Sequence, residues 1–330
     1  VNVRQTFEFI RDERLEGARA ALSATGTAAL AGGTGLIDLM KLGVERPARL
    51  IDINRLPLAA IERRNGLIRI GALARNSDVA YDPLIAESFP VLSRALLSGA
   101  SPQLRNMATV GGNVLQRTRC TYFRDSTWAC NKREPGSGCS AIDGFNRNHA
   151  ILGTSDACIA TNPSDMNVAL AALDATLVVQ GSRGERRIAF VDVHRLPGDT
   201  PHLETVLQPG DLIVALEIPA TPFFRNSTYL KVRDRTSYAF ALASAAVALD
   251  LQGGSVANAR VALGGVATKP WRSGAAEAVL VGNAPSTALY RAAAEAAFLE
   301  AVPQRDNAFK AELGIKVLTR ALALVGGRSA

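Results

Sequence analysis

The sequence predicts an α+β protein of two domains. Three observations carry that prediction. The length is 330 residues. Strand-like and helix-like stretches alternate through the first two thirds, and a run of strand-like segments followed by two Ala-rich helices closes the chain. Apolar residues make up 48% and charged residues 20%, a globular balance that excludes disorder, collagen and disulfide-dense miniproteins. A chain this long buries roughly 75% of its unfolded surface, so it needs neither disulfide nor metal merely to fold.

The elements follow in order. Residues 1–55 read as a small α/β unit: a helix over Leu15–Leu22, the apolar Ala28–Ala31, a glycine turn, a helical Leu36–Leu42 stopped by Pro47, and a strand at Arg49–Ile53. A strand (Leu67–Ile70) and a helix under Pro90–Leu97 come next. Ser164 is placed to cap a helix over Asp165–Leu173, and strands follow at Thr176–Val179 and Leu212–Ile218. Pro219 and Pro222 mark the best linker. Beyond it come strand-like Tyr229–Val232, Leu242–Leu251 and Val261–Leu263, with Gly253-Gly254 as a turn, then helices over Thr287–Leu299 and Ala308–Leu324. The expected domains are 1–222, with subdomains at about 1–55 and 56–222, and 223–330.

The longest mostly apolar stretch, Ala239–Leu249, has 11 residues and is interrupted by Ser244, against about 20 for a bilayer span, so no membrane span is expected. Residues 1–22 are dense in charge and lack an apolar signal core, so no export peptide of the chain's own is expected. The net charge is +7. The basic residues are scattered, with no tract interleaved with aromatics, so no nucleic acid is expected as a partner. A polyanionic cofactor or an acidic partner subunit explains the excess equally well.

Two glycine-rich turns follow apolar segments, Ala31-Gly32-Gly33-Thr34-Gly35 and Thr109-Val110-Gly111-Gly112-Asn113. Glycines let a backbone approach a ligand closely and aim its amides at phosphate oxygens. Thr34, Thr109 and Asn113 can add side-chain hydrogen bonds. Neither turn is a dinucleotide fingerprint or a P-loop. Taken singly each reads as a tight turn; together with the polar turn Pro163-Ser164-Asp165 they favour a nucleotide cofactor draped over several loops.

All four cysteines, Cys120, Cys130, Cys139 and Cys158, fall within the stretch 117–158, which has no clean periodicity. A loop that long inside a compact domain has a job. The absence of C-x2-4-C pairs disfavours structural zinc, and the size of the chain disfavours disulfides. An iron–sulfur cluster tolerates long gaps between thiolates. Arg117, Arg119, Arg124, Lys132, Arg133 and Arg147 would offset its charge, and Gly136, Gly138, Gly144 and Gly153 would let the loop wrap it. His149 reads as a hydrogen-bonding residue or a further ligand. On spacing alone the cluster leads, with zinc and disulfides still open.

The chain resembles the FAD-binding subunits of the molybdenum hydroxylases, the xanthine dehydrogenase family. The resemblance rests on Leu30-Ala31-Gly32-Gly33-Thr34, Ser101–Asn113, Pro163-Ser164-Asp165, Leu216-Glu217-Ile218-Pro219, Lys231-Val232-Arg233 and Ala259–Val266, in family order over nearly the whole chain. Within the family, Cys130–Ile142 and Asn146–Ser155 are most similar to the FAD/[4Fe–4S] subunit of bacterial periplasmic aldehyde oxidoreductase. The flavin subunit of hydroxybenzoyl-CoA reductase has such an insert too, with a less similar loop.

The resemblance implies a two-subdomain FAD-binding fold of the vanillyl-alcohol-oxidase type, with an iron–sulfur insert at about 117–158. A C-terminal domain of the CO-dehydrogenase-flavoprotein type, a small antiparallel sheet with helices, would follow it. It implies that Ala29, Leu30, Ala31, Gly32, Gly33, Thr34, Gly35 and Leu36 bind the FAD pyrophosphate, and that Thr109, Gly112 and Asn113 form the second contact. Asp165 would hold a cofactor hydroxyl, Ile213 the adenine region and Lys231 the isoalloxazine region. Cys120, Cys130, Cys139 and Cys158 would carry a [4Fe–4S] cluster. Many relatives have Asp or Asn where Gly35 stands, so a side-chain contact is missing there.

The implied function is electron transfer within a heterotrimeric aldehyde oxidoreductase, with no catalytic residue in this chain. Substrate would be hydroxylated on a large molybdenum-cofactor subunit. Electrons would pass through a small [2Fe–2S] subunit to FAD and on to an external acceptor, and the isolated chain would be inactive on aldehydes. The alternatives are a hydroxybenzoyl-CoA-reductase-like flavin subunit, a zinc-stabilised flavin-binding structural module, and a self-contained flavin reductase. The implied location is the periplasm, reached by co-export with a signal-bearing partner; the alternative is the cytoplasm.

Overall fold

The computed structural model describes residues 6–327. A parallel sheet comes first, with strands β1 (Glu8–Arg11), β2 (Thr27–Leu30) and β3 (Arg49–Asp52) in the order β1-β3-β2. Its helices are α1 (Leu15–Leu22) and α2 (Leu36–Lys41). Ala18 and Leu22 of α1 pack with Ile51, Ile53 and Leu56 into a small core that Leu212 closes from the next sheet.

That next sheet is antiparallel: β4 (Ile61–Arg64), β5 (Leu67–Gly71), β6 (Thr176–Gly181), β7 (Gly184–Ala189) and β8 (Leu212–Pro219), in the order β4-β5-β8-β6-β7. Between β5 and β6 the chain forms α3 (Asn76–Tyr81), α4 (Pro83–Ser88), α5 (Pro90–Ser98), α6 (Pro102–Met107) and α7 (Val110–Val114). The insert with its single turns α8 (Thr121–Arg124) and α9 (Ser140–Asp143) comes next, then α10 (Asp165–Ala172). Ser164 caps α10, its Oγ accepting from the Asn167 amide at 3.1 Å. The stretch 109–113 is not the simple glycine turn expected. Thr109 Oγ1 accepts from the Gly112 amide, and that cap with the bonds from Val110 N to Ala74 O and Gly111 N to Ala72 O holds the glycines in a helical turn.

The last third holds an antiparallel sheet, β9 (Ser227–Val232), β10 (Ala243–Gln252), β11 (Ser255–Gly264) and β12 (Trp271–Arg272), in the order β12-β11-β10-β9. Helices α11 (Gly274–Leu280), α12 (Thr287–Ala296) and α13 (Phe309–Gly326) complete it. Strand β10 is buried on both faces. Ala246 and Ala248 join the core built by α5, α10 and the five-stranded sheet, whereas Ala245, Val247 and Leu249 meet Leu318 and Leu322 of α13. Two-sided burial explains the apolar run Ala245–Leu249 in this strand. Among the described residues no helix is long and apolar enough to cross a membrane.

One buried group gives the fold a pH signature. His194 is 7% exposed and donates from Nε2 to the Val114 carbonyl at 3.0 Å. Burial holds its pKa down at about 4. The unfolded histidine takes a proton near pH 6.5, so the stability this group contributes is complete above that pH. It is lost as pH falls toward 4, with a slope of about 1.4 kcal/mol per pH unit. Removing the ring with His194→Gln is expected to flatten the stability–pH curve between those values by that slope, read from urea unfolding at a series of pH values.

Candidate functional site

Two loops meet at the junction of the first two sheets. Strand β2 ends at Leu30 and α2 begins at Leu36, leaving Ala31–Gly35 as a bare turn with Gly33 at φ +72°. A Cβ on Gly32 would lie 1.9 Å from the Met107 carbonyl oxygen, so this loop touches backbone just ahead of the second. Asn54 Nδ2 holds the Ala31 carbonyl at 2.9 Å, and Arg75 reaches both Asn54 Oδ1 (3.2 Å) and the Met107 carbonyl (2.5 Å). Among the described residues none accepts a hydrogen bond from the amides of Gly32, Gly33, Thr34 or Gly35. A Cβ on Gly35 would meet nothing within 4 Å. Free amides beside open space at a helix start suit an anionic diphosphate.

The second loop is tied to the third. Asn113 Oδ1 accepts from Ser164 Oγ at 2.7 Å and from Gln116 Nε2. Asp165, next in the chain, lines a cleft of about 1300 Å³ (its mouth included) between α10, the insert and the loop around Phe240. Both Asp165 oxygens are held: Oδ1 by the Tyr229 hydroxyl at 2.6 Å, Oδ2 by Lys231 Nζ at 2.7 Å. Burial, with Asp165 alongside, raises the Tyr229 pKa well above its ordinary value, so the phenol stays a donor. Lys231 also donates to the Ser98 carbonyl at 3.1 Å; it stands behind Asp165 and is not part of the cleft wall. Ile213 lies in β8, buried in the core where β6 pairs with a register shift, and does not line the cleft either.

The cysteines converge. Cys130 bridges to Cys139 as an antiparallel pair, closed by Asn131 N to Gly138 O at 2.7 Å and by Gly136 and Gly138 at φ +87° and +97°. Cys120 heads α8, and Cys158 sits in a tight turn with Ser155. All four thiols are free and line one small cavity walled by Phe123, Ala141, Ala157 and Ala160. Burial pushes the Cys120 thiol up to about 12, with Cys130 and Cys158 adding to the rise; Cys158 is raised too, and Lys132 opposes that rise. Thiolates here require a cationic centre to balance them. Among the described residues, no three His, Cys, Asp or Glu side chains stand close enough to grip a single ion.

His149 Nε2 lies 3.2 Å from Cys120 Sγ, and its Nδ1 is buried without a partner. Burial lowers the His149 pKa to about 4. Cys120 and His149 also line the cleft beside Asp165, so one cysteine faces both cavities. Sequence reasoning missed Tyr229 and Phe240, and it gave Arg119 only a charge-offsetting role beside the cysteines. Arg119 lies over the Phe240 ring at 5.3 Å on the cleft wall.

A glycine turn with free amides at a helix start, and a separate cleft lined from both halves of the chain, suit a nucleotide cofactor. Comparisons with known proteins agree. Residues 5–221 match the family described as the FAD binding domain in molybdopterin dehydrogenase, and residues 228–325 the CO dehydrogenase flavoprotein C-terminal domain. The chain is 51% identical over 311 residues to the aldehyde oxidoreductase FAD-binding subunit PaoB of Escherichia coli K12, covering 93% of this chain and 94% of that one. It is 28% identical to the glyceraldehyde dehydrogenase medium chain of Sulfolobus acidocaldarius, covering 84% and 82%. A solved carbon monoxide dehydrogenase from Hydrogenophaga pseudoflava superposes with a TM-score of 0.77 at 27% identity, covering 98% of this chain and 99% of that one. The chain belongs to the FAD-binding subunits of the molybdenum hydroxylases, and it is an oxidoreductase subunit.

Proposed function

We propose that this chain is the FAD- and [4Fe–4S]-carrying electron-transfer subunit of a molybdenum-dependent aldehyde oxidoreductase, assembled with a large molybdenum-cofactor subunit and a small [2Fe–2S] subunit. The observation that carries the cluster is the cavity faced by four thiols and no carboxylate. A cubane offers four irons at separate corners, so its ligands surround it rather than meet at one atom. That is the reading the lack of a single-ion site favours over zinc. The substrate class rests on likeness to the aldehyde oxidoreductase subunit.

In this reading the amides of Gly32–Gly35 bind the diphosphate, the turn from Thr109 to Asn113 supports the ribityl chain, and Asp165 accepts from a cofactor hydroxyl. Tyr229 and Lys231 fix the Asp165 carboxylate in one orientation. Bound FAD supplies storage for electrons arriving singly. Cys120, shared between thiol cavity and cleft, favours a relay role for the cluster over a purely structural one. His149 stands against the Cys120 sulfur, where a donor from Nε2 would stabilise a thiolate.

Replacing one thiol tests the assignment. In Cys139→Ser, iron content and the broad visible absorbance are expected to fall to near zero while FAD is retained at saturating concentration. Iron and flavin determinations on anaerobically purified chain check this; unchanged iron would remove Cys139 from the ligand set.

A further inference from the structure

Helix α2 serves two sites at once. Its first residue follows the glycine turn directly, so its N-terminal end belongs to the diphosphate cradle. Its third residue, Asp38, accepts through Oδ2 from Arg119 at 3.1 Å and Arg124 at 2.8 Å. These two arginines bracket Cys120 and the turn α8. Its fourth residue, Leu39, packs in one small apolar cluster with Phe123 and Cys130, against which Cys120 also rests. Just past the helix, Glu45 pairs with Arg117, which also meets Glu204 at 3.1 Å. A six-residue helix cannot shift at one end and stay fixed at the other, because its hydrogen bonds make it a stiff unit.

We propose that Asp38 is a positioning residue that couples the two cofactor sites: occupancy of the thiol cavity fixes Arg119 and Arg124, these fix α2 through Asp38, and α2 holds the glycine amides in the geometry that binds FAD. This rests on the cluster reading above. Coupling between equilibrium affinities is reciprocal, so FAD must tighten retention of the metal as the metal tightens FAD. Asp38 lines neither the thiol cavity nor the cleft, and the residue acts through its two arginines. The backbone supports the same path from the other side, since Arg124 N bonds Cys120 O and so carries the cysteine with the arginine.

The test titrates FAD into full-length chain before and after iron is removed with a chelator, following flavin fluorescence. Wild-type chain is expected to bind FAD about tenfold more tightly with iron present, within the usual range for coupled sites, and saturating FAD is expected to slow iron loss. In Asp38→Asn, and independently in Arg124→Gln, the two FAD affinities are expected to converge. A ratio near one in iron-loaded wild type overturns the coupling while leaving the cluster standing. The full tenfold ratio surviving in both variants overturns Asp38 as its route. A wild-type chain that never holds iron overturns both readings, and the iron assay alone identifies that case.

Discussion

Gly32→Ala is expected to yield a chain that folds poorly around its first loop and binds FAD ten- to a hundredfold more weakly. The added Cβ would lie 1.9 Å from the Met107 carbonyl oxygen and 3.1 Å from the Ala108 Cα. Both obstacles are backbone, and Arg75 holds that same carbonyl from the other side, so neither can yield by a rotamer change. Overpacking of this kind costs about 1–3 kcal/mol, and each 1.4 kcal/mol is about a factor of ten in affinity. Gly35→Ala is the contrast. Its Cβ meets nothing, so stability is expected to stay within about 0.5 kcal/mol of wild type. Any loss of FAD binding in that variant then reports occupation of the space by the cofactor itself. Flavin content after gel filtration and a urea curve separate the two outcomes; Gly32→Ala with full flavin would show that the loops are not in contact.

Lys231→Met is expected to destabilise the chain by about 3–5 kcal/mol, the cost of leaving one member of a buried ion pair alone. The side chains of Lys231 and Asp165 are 3% and 8% exposed. Without the amine, the carboxylate keeps the Tyr229 hydroxyl but little else. It then needs water in place of the amine, and it loses the orientation proposed for the cofactor hydroxyl. The double variant Asp165→Asn with Lys231→Met is expected to recover most of the stability, because no charge is left behind, while FAD binding stays weak. Denaturant unfolding of the two variants checks this, and a loss below about 1 kcal/mol in the single variant would mark the pair as solvated.

What could be read from the sequence divides along physical lines. Helices α1, α5 and α10 showed themselves in the sequence, α10 through its apolar positions and the Ser164 cap. Strand β10 showed itself through its apolar run. Helix α7 did not, because Val-Gly-Gly has poor helix propensity and its turn exists through the Thr109 cap and the close approach of Gly111 to Ala72. Strands β1, β4 and β7 were also hidden. They lie at sheet edges, where charged residues such as those of Ile61–Arg64 and Gly184–Ala189 are at home, and partners such as Glu217 for Arg69 and Arg187 lie far off in sequence. The glycine turns and the cysteine window were legible because rare residue types cluster there. Asp38 and Tyr229 were not, since an acid on a short helix and a tyrosine in a strand look ordinary until folding brings Arg124 and Asp165 to them.

The two family regions part within residues 222–227, yet the apolar packing of β10 runs through that seam. A strand owned by both halves leaves no hinge for them to swing on. The two family regions pack as one body, and the walls of the cleft beside Asp165 keep a separation fixed by the interior of the molecule rather than by a flexible joint. For the electron carrier proposed above, whose transfer rate would depend on how far apart its redox centres stand, such immobility is an asset.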